Sequence, residues 1–286
     1  MNTQRTAVLA CIDGSTYKQG VVDYAAWVSG AVDARLKLLH NIEHRDHAPL
    51  SDLSGSLGLG EREDLLEELA AMEARRSKIL MEQGKLMLEN ARQRALAHGA
   101  VAPEKLQRHG GLTDSLIELE DEIRVLVLGV RGEDHEDRPR QLGAQLEAVI
   151  RAMHRPVLVV NRDFDRAPNR CLVAYDGSEA ARKALAMVAA SPLYRGMECH
   201  LVHVSRDGHS PLLEEAAGTL RAAGLEVVSA ELHGDVEKQL DDYQQQHAID
   251  LIVMGAFGQS RIRELLFGSV THRMLANARV PLLLLR

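Results

Sequence analysis

Cysteine is scarce in this chain: three residues, Cys11, Cys171 and Cys199, among 286. They lack the paired spacing of a metal knuckle or a disulfide framework, which leaves free buried thiols in a reducing compartment as the expectation. No run approaches the roughly 18 apolar residues of a membrane span, and "MNTQRTAVLACIDGS" lacks the apolar core of a signal peptide. The sequence therefore reads as that of a cytoplasmic protein. A basic stripe is missing too, and the net charge of -7 argues against a dedicated nucleic-acid binder. Thirteen histidines without a close pair give no metal site. The Walker A lysine arrangement, the G-x-G-x-x-G fingerprint and a Ser-Gly-Gly-x-Asp-Ser loop are all absent.

What is present is an internal repeat, the feature that decides an architecture before any local reading. "TAVLACIDGS" (6–15) returns as "NRCLVAYDGS" (169–178), matching Asp13-Gly14-Ser15 to Asp176-Gly177-Ser178. His40 and His203 then follow their aspartates at the same distance, 27 positions. "RHGGLTDSLIEL" echoes "LHGDVEKQLDDY", "VLVLGVRG" echoes "LIVMGAFG", and "RPVLVVN" echoes "VPLLLLR". Each half alternates short apolar runs with longer periodic segments, the signature of parallel strands joined by right-handed helical crossovers. Runs such as "VLVLG" are apolar throughout, as strands covered on both faces should be.

The fold class expected is α/β, two tandem doubly wound five-stranded parallel-sheet domains of Rossmann-like type with strand order 3-2-1-4-5. First-half strands are predicted near 6–12, 35–41, 104–109, 125–129 and 156–160, with helices near 17–30, 61–98, 112–123 and 142–153. Second-half strands fall near 170–175, 199–204, 226–232, 250–255 and 281–285, with helices near 179–193, 211–223, 235–247 and 269–278. The polar stretch "NRDFDRAPNR" marks the seam, dividing the chain into domains 1–161 and 162–286. The first carries an insertion, 44–61, and a helical stretch that would be on the order of 55 Å long if unbroken. A break near Gly84 is therefore expected. Its residues Leu65, Leu69, Met72, Ile79 and Leu86 keep heptad-like spacing, which predicts packing on the domain's own sheet, with a partner-binding or lid-like segment as the alternative.

In a doubly wound sheet, ligands bind beyond the carboxyl ends of the strands where the order reverses. In the second half that crevice is left by Asp176 and Gly255. "GAFGQSRIRELLFGS" (255–269) then spaces Gly255, Gly258, Gly268 and Ser269 as G-x2-G-x9-G-S. Glycines let main-chain N–H groups approach an anion, and Ser269 would open a helix whose amides and dipole hold phosphate. Asp176, by contrast, offers a carboxylate to ribose hydroxyls or an amino group.

These elements together resemble the universal stress protein family, in its tandem form, over nearly the whole chain except mainly 44–75. The resemblance implies ATP, with or without Mg²⁺, held by Asp176, the main chain near Ala174, Tyr175 and Val204, and Met254, Gly255, Gly258, Gly268, Ser269, Val270 and Thr271. Family members commonly carry proline and a small hydroxyl residue before the aspartate; Tyr175 would either stack on the base or crowd it. The first half departs from the pattern, running Gly129, Gly132, Gly143 and Ala144 with one extra loop residue and no serine. Glu133, Asp134, Glu136 and Asp137 add negative charge there, which opposes a polyphosphate. The first site is expected to be degenerate.

The function expected is therefore a nucleotide-dependent stress-response binding module. A slow ATPase, or an interaction scaffold or apolar-ligand binder with a specialised first domain, is the alternative. No catalytic residue is assigned, because no clear base or nucleophile stands beside the loop, and Cys11 is expected to be an inert thiol. Family resemblance further implies that the final strands of the halves pair, making an intramolecular pseudo-dimer, with a homodimer beyond it left open.

Overall fold

The computed structural model describes residues 6–43, 59–132, 144–205, 211–255 and 269–286. For residues 59–66, 144, 211 and 269 only the backbone is described. The first half contains β1 (Ala7–Cys11), α1 (Lys18–Ala31), β2 (Arg35–Ile42), α2 (Leu59–Ala97), β3 (Glu104–His109), α3 (Leu112–Leu119), β4 (Ile123–Gly129), α4 (Ala144–Ala152) and β5 (Val157–Val160). The second repeats it as β6 (Arg170–Ala174), α5 (Glu179–Ala190), β7 (Glu198–Ser205), α6 (Pro211–Ala222), β8 (Glu226–His233), α7 (Val236–Gln246), β9 (Leu251–Gly255), α8 (Ser269–Asn277) and β10 (Leu282–Leu285).

Within each half the strands are parallel and ordered 3-2-1-4-5, as the repeat predicts. The two five-stranded sheets are not separate, however. β5 and β10 pair antiparallel, with Leu283 opposite Leu158, and fuse them into one ten-stranded sheet. Because that junction is antiparallel, strands of the two halves point in opposite directions. Their carboxyl ends, and the crevices beyond them, therefore lie on opposite edges of the sheet.

Helices α1, α2, α5 and α6 bury Ala25, Leu88, Leu185 and Leu220 against one face. Helices α3, α4, α7 and α8 bury Leu116, Ile150, Leu240 and Leu275 against the other. A sheet covered on both faces explains why its central strands are continuously apolar rather than alternating.

Helix α2 departs from expectation twice. It runs unbroken for 39 residues, about 58 Å at 1.5 Å per residue, straight through Gly84. A Cβ at Gly84 would stand 2.3 Å from Gln107 Nε2 and 2.5 Å from His40 Cδ2, so the glycine permits close approach of the helix to β2 and β3. The heptad-spaced residues Met72, Ile79 and Leu86 are 64%, 52% and 66% exposed; Leu69 is half-buried, and the side chain of Leu65 lies outside the described residues. The helix packs instead through Gly84, Leu88, Ala91 and Ala95. Near its end Arg94 grips buried Asp23 of α1 with two hydrogen bonds of 2.6 and 2.7 Å.

Candidate functional site

In the second half, β6 delivers Ala174 and Tyr175 to the point where the chain leaves the sheet between β7 and β9. Tyr175 N donates to Val202 O at 2.9 Å, and His203 donates from Nδ1 to Tyr175 O at 2.7 Å. The Tyr175 side chain is buried in the core on the face covered by α5 and α6.

Asp176 follows, exposed. Its Oδ1 accepts from Ser178 N at 2.9 Å, and Ser178 Oγ accepts from Ala181 N at 3.1 Å to cap α5. Gly177 between them takes a positive φ of 72°, which glycine adopts without strain. The carboxylate is thus fixed by its neighbours while facing solvent.

From the other side of the crevice, β9 brings Met254, buried, and Gly255, half-buried. A Cβ on Gly255 would lie 2.9 Å from the Ala180 carbonyl carbon and 3.0 Å from its oxygen. Close packing against the first turn of α5 therefore demands this glycine, whatever the ligand. Val204 and Val270 are half-buried against the α7/α8 face, Thr271 is buried, and Ser269 opens α8. Since α8 leads back into β10, parallel to β9, its N-terminus faces the crevice edge. Gly258 and Gly268 lie outside the described residues.

The first half repeats the frame with different contents. Asp13 Oδ1 accepts from Ser15 N at 3.0 Å, and His40 donates from Nδ1 to Ile12 O at 2.8 Å. The two histidines therefore do the same structural work, tying strand two to the end of strand one. Where the second half has Ala180, the first has Tyr17, whose Cβ would meet a Cβ on Gly129 at 3.1 Å. Arg131 Nη1 donates to the Tyr17 hydroxyl at 2.9 Å. Glu43 accepts from Leu112 N at 3.2 Å and from Gln145 Nε2 at 2.6 Å.

A cavity of about 340 Å³ opens beside Asp13, Glu43, Leu39, Leu128 and Gly132, with Leu80 of α2 on its wall. Cys11 also lines it, but burial, and then the Asp13 charge, push its thiol up to about 12. That agrees with an inert thiol. Gly143 and the acidic insert 133–137 lie outside the described residues.

Glu43, Tyr17 and Arg131 escaped the sequence reading. Tyr17 alone left a signal, because it occupies the repeat position that Ala180 fills in the second half.

Fold and site together define a class, tandem doubly wound α/β domains with a carboxylate and a helix N-terminus at the strand-order reversal. Comparison with known proteins narrows it. The model of the universal stress protein family matches residues 5–161 and 168–286, and the chain belongs to that family, in tandem form. A curated relative, universal stress protein Slr1230 from Synechocystis sp., is 34% identical over 285 residues, covering 98% of this chain and 99% of the relative. Universal stress protein YxiE from Bacillus subtilis is 25% identical over 146 residues, 41% of this chain and 99% of the relative. Among solved structures, a universal stress protein from Archaeoglobus fulgidus matches with a TM-score of 0.69 at 21% identity, covering 99% of each chain.

Proposed function

We propose that domain 162–286 binds an adenine nucleotide, ATP with or without Mg²⁺, and that domain 1–161 does not. The observation behind this reading is the conjunction at one sheet edge of exposed, turn-fixed Asp176 and the start of α8, joined in sequence by G-x2-G-x9-G-S. These groups suit the two ends of a nucleotide. Asp176 keeps carboxylate capacity for hydroxyl or amino donors, the main chain of Ala174, Tyr175 and Val204 borders the base end, and Ser269, Val270 and Thr271 open a helix that favours anions. Gly255, Gly258 and Gly268 with Met254 complete the proposed contact set.

In the first half, Tyr17, Arg131 and Glu43 occupy the same region, and the acidic insert repels polyphosphate. The chain then acts as a cytoplasmic module whose nucleotide state regulates a partner. Hydrolysis, if measured, should stay below about 1 s⁻¹, a low rate for an enzyme. A second reading has its own observation: the cavity of the first domain, where Leu39, Leu80, Leu128 and Leu146 face Asp13, Glu43 and Gln145, has the size of a small-ligand site, which suits a ligand with an apolar body and a polar end.

Thermal denaturation with ATP, ADP, AMP and GTP tests the first reading. ATP at 100 times its dissociation constant should add about 2.7 kcal/mol, and a well-folded, nucleotide-free protein that none of the four stabilises refutes it.

A further inference from the structure

Cys171 of β6 and Cys199 of β7 occupy the same rung of the parallel ladder, and their sulfurs stand 3.2 Å apart. Non-bonded carbon atoms rest about 3.5–4.0 Å apart, and sulfur is larger, so this pair is already inside ordinary contact. Neighbouring strands lie about 4.7–4.9 Å apart, within the roughly 4.4–6.8 Å between Cα atoms that a disulfide spans. Strand spacing and sulfur distance are thus both in the range from which a bridge can form.

The repeat supplies a control within the chain. In the first half the same rung pairs Val8 with Leu36, both fully buried. Packing of this fold is satisfied there without sulfur, so the dithiol is a feature of the second half and not a requirement of the architecture. Cys11, the remaining thiol, has no sulfur beside it among the described residues.

We propose that Cys171 and Cys199 form an oxidisable dithiol, converted to an intramolecular disulfide by a small neutral hydroperoxide. With hydrogen peroxide, the Cys199 sulfur attacks one peroxide oxygen and the O–O bond breaks. This leaves a sulfenic acid on Cys199 and releases one water. The Cys171 sulfur then attacks the Cys199 sulfur, the S–O bond breaks, and a second water leaves. Two thiols lose two electrons and two protons in total, and one peroxide is reduced to two waters.

The contact between the two sulfurs, in which either can donate, favours the thiolate of Cys199 and, with burial, raises the Cys171 thiol. Attack from either sulfur gives the same bridge, and the lowered Cys199 thiol favours it as the first nucleophile. Both residues are 0% exposed, so an oxidant that reaches them must be small and uncharged, or must await local opening of the sheet. The finished bridge would pin β6 to β7 near their first residues, at the end of the strands away from the crevice.

The test treats the full chain with hydrogen peroxide, quenches, denatures, alkylates with iodoacetamide and maps peptides by mass. The expected result is the loss of two of the three alkylatable thiols, a linked peptide joining Cys171 to Cys199, and recovery of both thiols with dithiothreitol. Cys171→Val, which installs the residue of the first half at that rung, should retain the fold by circular dichroism, form no bridge and trap Cys199 as a dimedone adduct. Three alkylated thiols after peroxide, a bridge that contains Cys11, or irreversible oxidation of the two sulfurs separately would overturn the proposal.

Discussion

Asp23 shows how much a single side chain carries here. It is 1% exposed, and its charge is met by Arg94 through two short bonds and by His98 at 3.3 Å. Deleting one partner of a buried ion pair strands the other, at a cost of about 3–5 kcal/mol. Arg94→Ala, which leaves the buried Asp23 carboxylate without its guanidinium partner, should lower the unfolding free energy by that order in urea titration; a loss under 1 kcal/mol would show the pair to be solvated. Gly255→Ala should cost about 1–3 kcal/mol through overpacking against Ala180, with no nucleotide present. That loss is a property of the fold, so this variant cannot report on binding, whereas the carboxylate of exposed Asp176 can.

His200 adds a pH dependence. It is buried between Glu198 at 2.7 Å and the Tyr243 hydroxyl at 2.9 Å, with His247 beside it. Burial lowers its folded pKa, and this outweighs the raising effect of Glu198. The unfolded chain therefore binds the proton more readily, so the stability contribution is full above the ordinary histidine range and declines as pH falls through about 6.5. Unfolding free energy should drop between pH 7.5 and 5.5, and His200→Gln should flatten that slope; an unchanged slope would remove His200 as its source.

Helix α2 separates what sequence can and cannot convey at the scale of an element. Its existence and near-final limits were legible from periodicity. Its facing was not, because the apolar arc is wider than the stripe that packs, and heptad spacing marks both sides alike. Met72, Ile79 and Leu86 satisfy the pattern yet are exposed, while Gly84, Ala91 and Ala95, weak in any hydrophobic count, let the helix approach the sheet. Met72→Ser and Ile79→Ser should then change stability by no more than about 0.5 kcal/mol. Leu88→Ala, by contrast, should cost about 2–5 kcal/mol. Equal losses at Ile79 and Leu88 would mean the exposed stripe is covered.

The candidate site was legible to a similar degree. Asp176 and the strand ends follow from the repeat, but the burial of Tyr175 depends on tertiary packing in the core, which no local pattern encodes. The tie that Glu43 makes beside the first crevice likewise depends on a bond to Gln145, 102 residues away.

For the whole molecule, the decisive feature is the antiparallel β5–β10 pair, flanked by contacts that also cross between the halves. Asn161 donates to Ala278 O and Val280 O at 2.7 and 3.0 Å, Arg286 bonds Arg151 O at 2.9 Å, and His272 meets Glu147 at 3.3 Å. Strand order within each half was readable because chirality and short connections leave few topologies. Fusion into one sheet was not readable from the strand pattern itself; only the family resemblance implied that the last strands pair, and the structure adds that they do so antiparallel, with Leu283 opposite Leu158. One cooperative unfolding transition is expected, and Leu158→Ala should weaken the chain by about 2–5 kcal/mol without splitting that transition.

The opposed strand directions also set the two crevices on opposite edges, so one nucleotide cannot bridge them. The most direct measurement is isothermal titration of the full, nucleotide-free chain with ATP. The structure and sequence together predict one ATP per chain, abolished or weakened at least tenfold by Asp176→Ala and unaffected by Asp13→Ala. Two sites per chain, or binding that depends on Asp13 and not Asp176, would contradict the account.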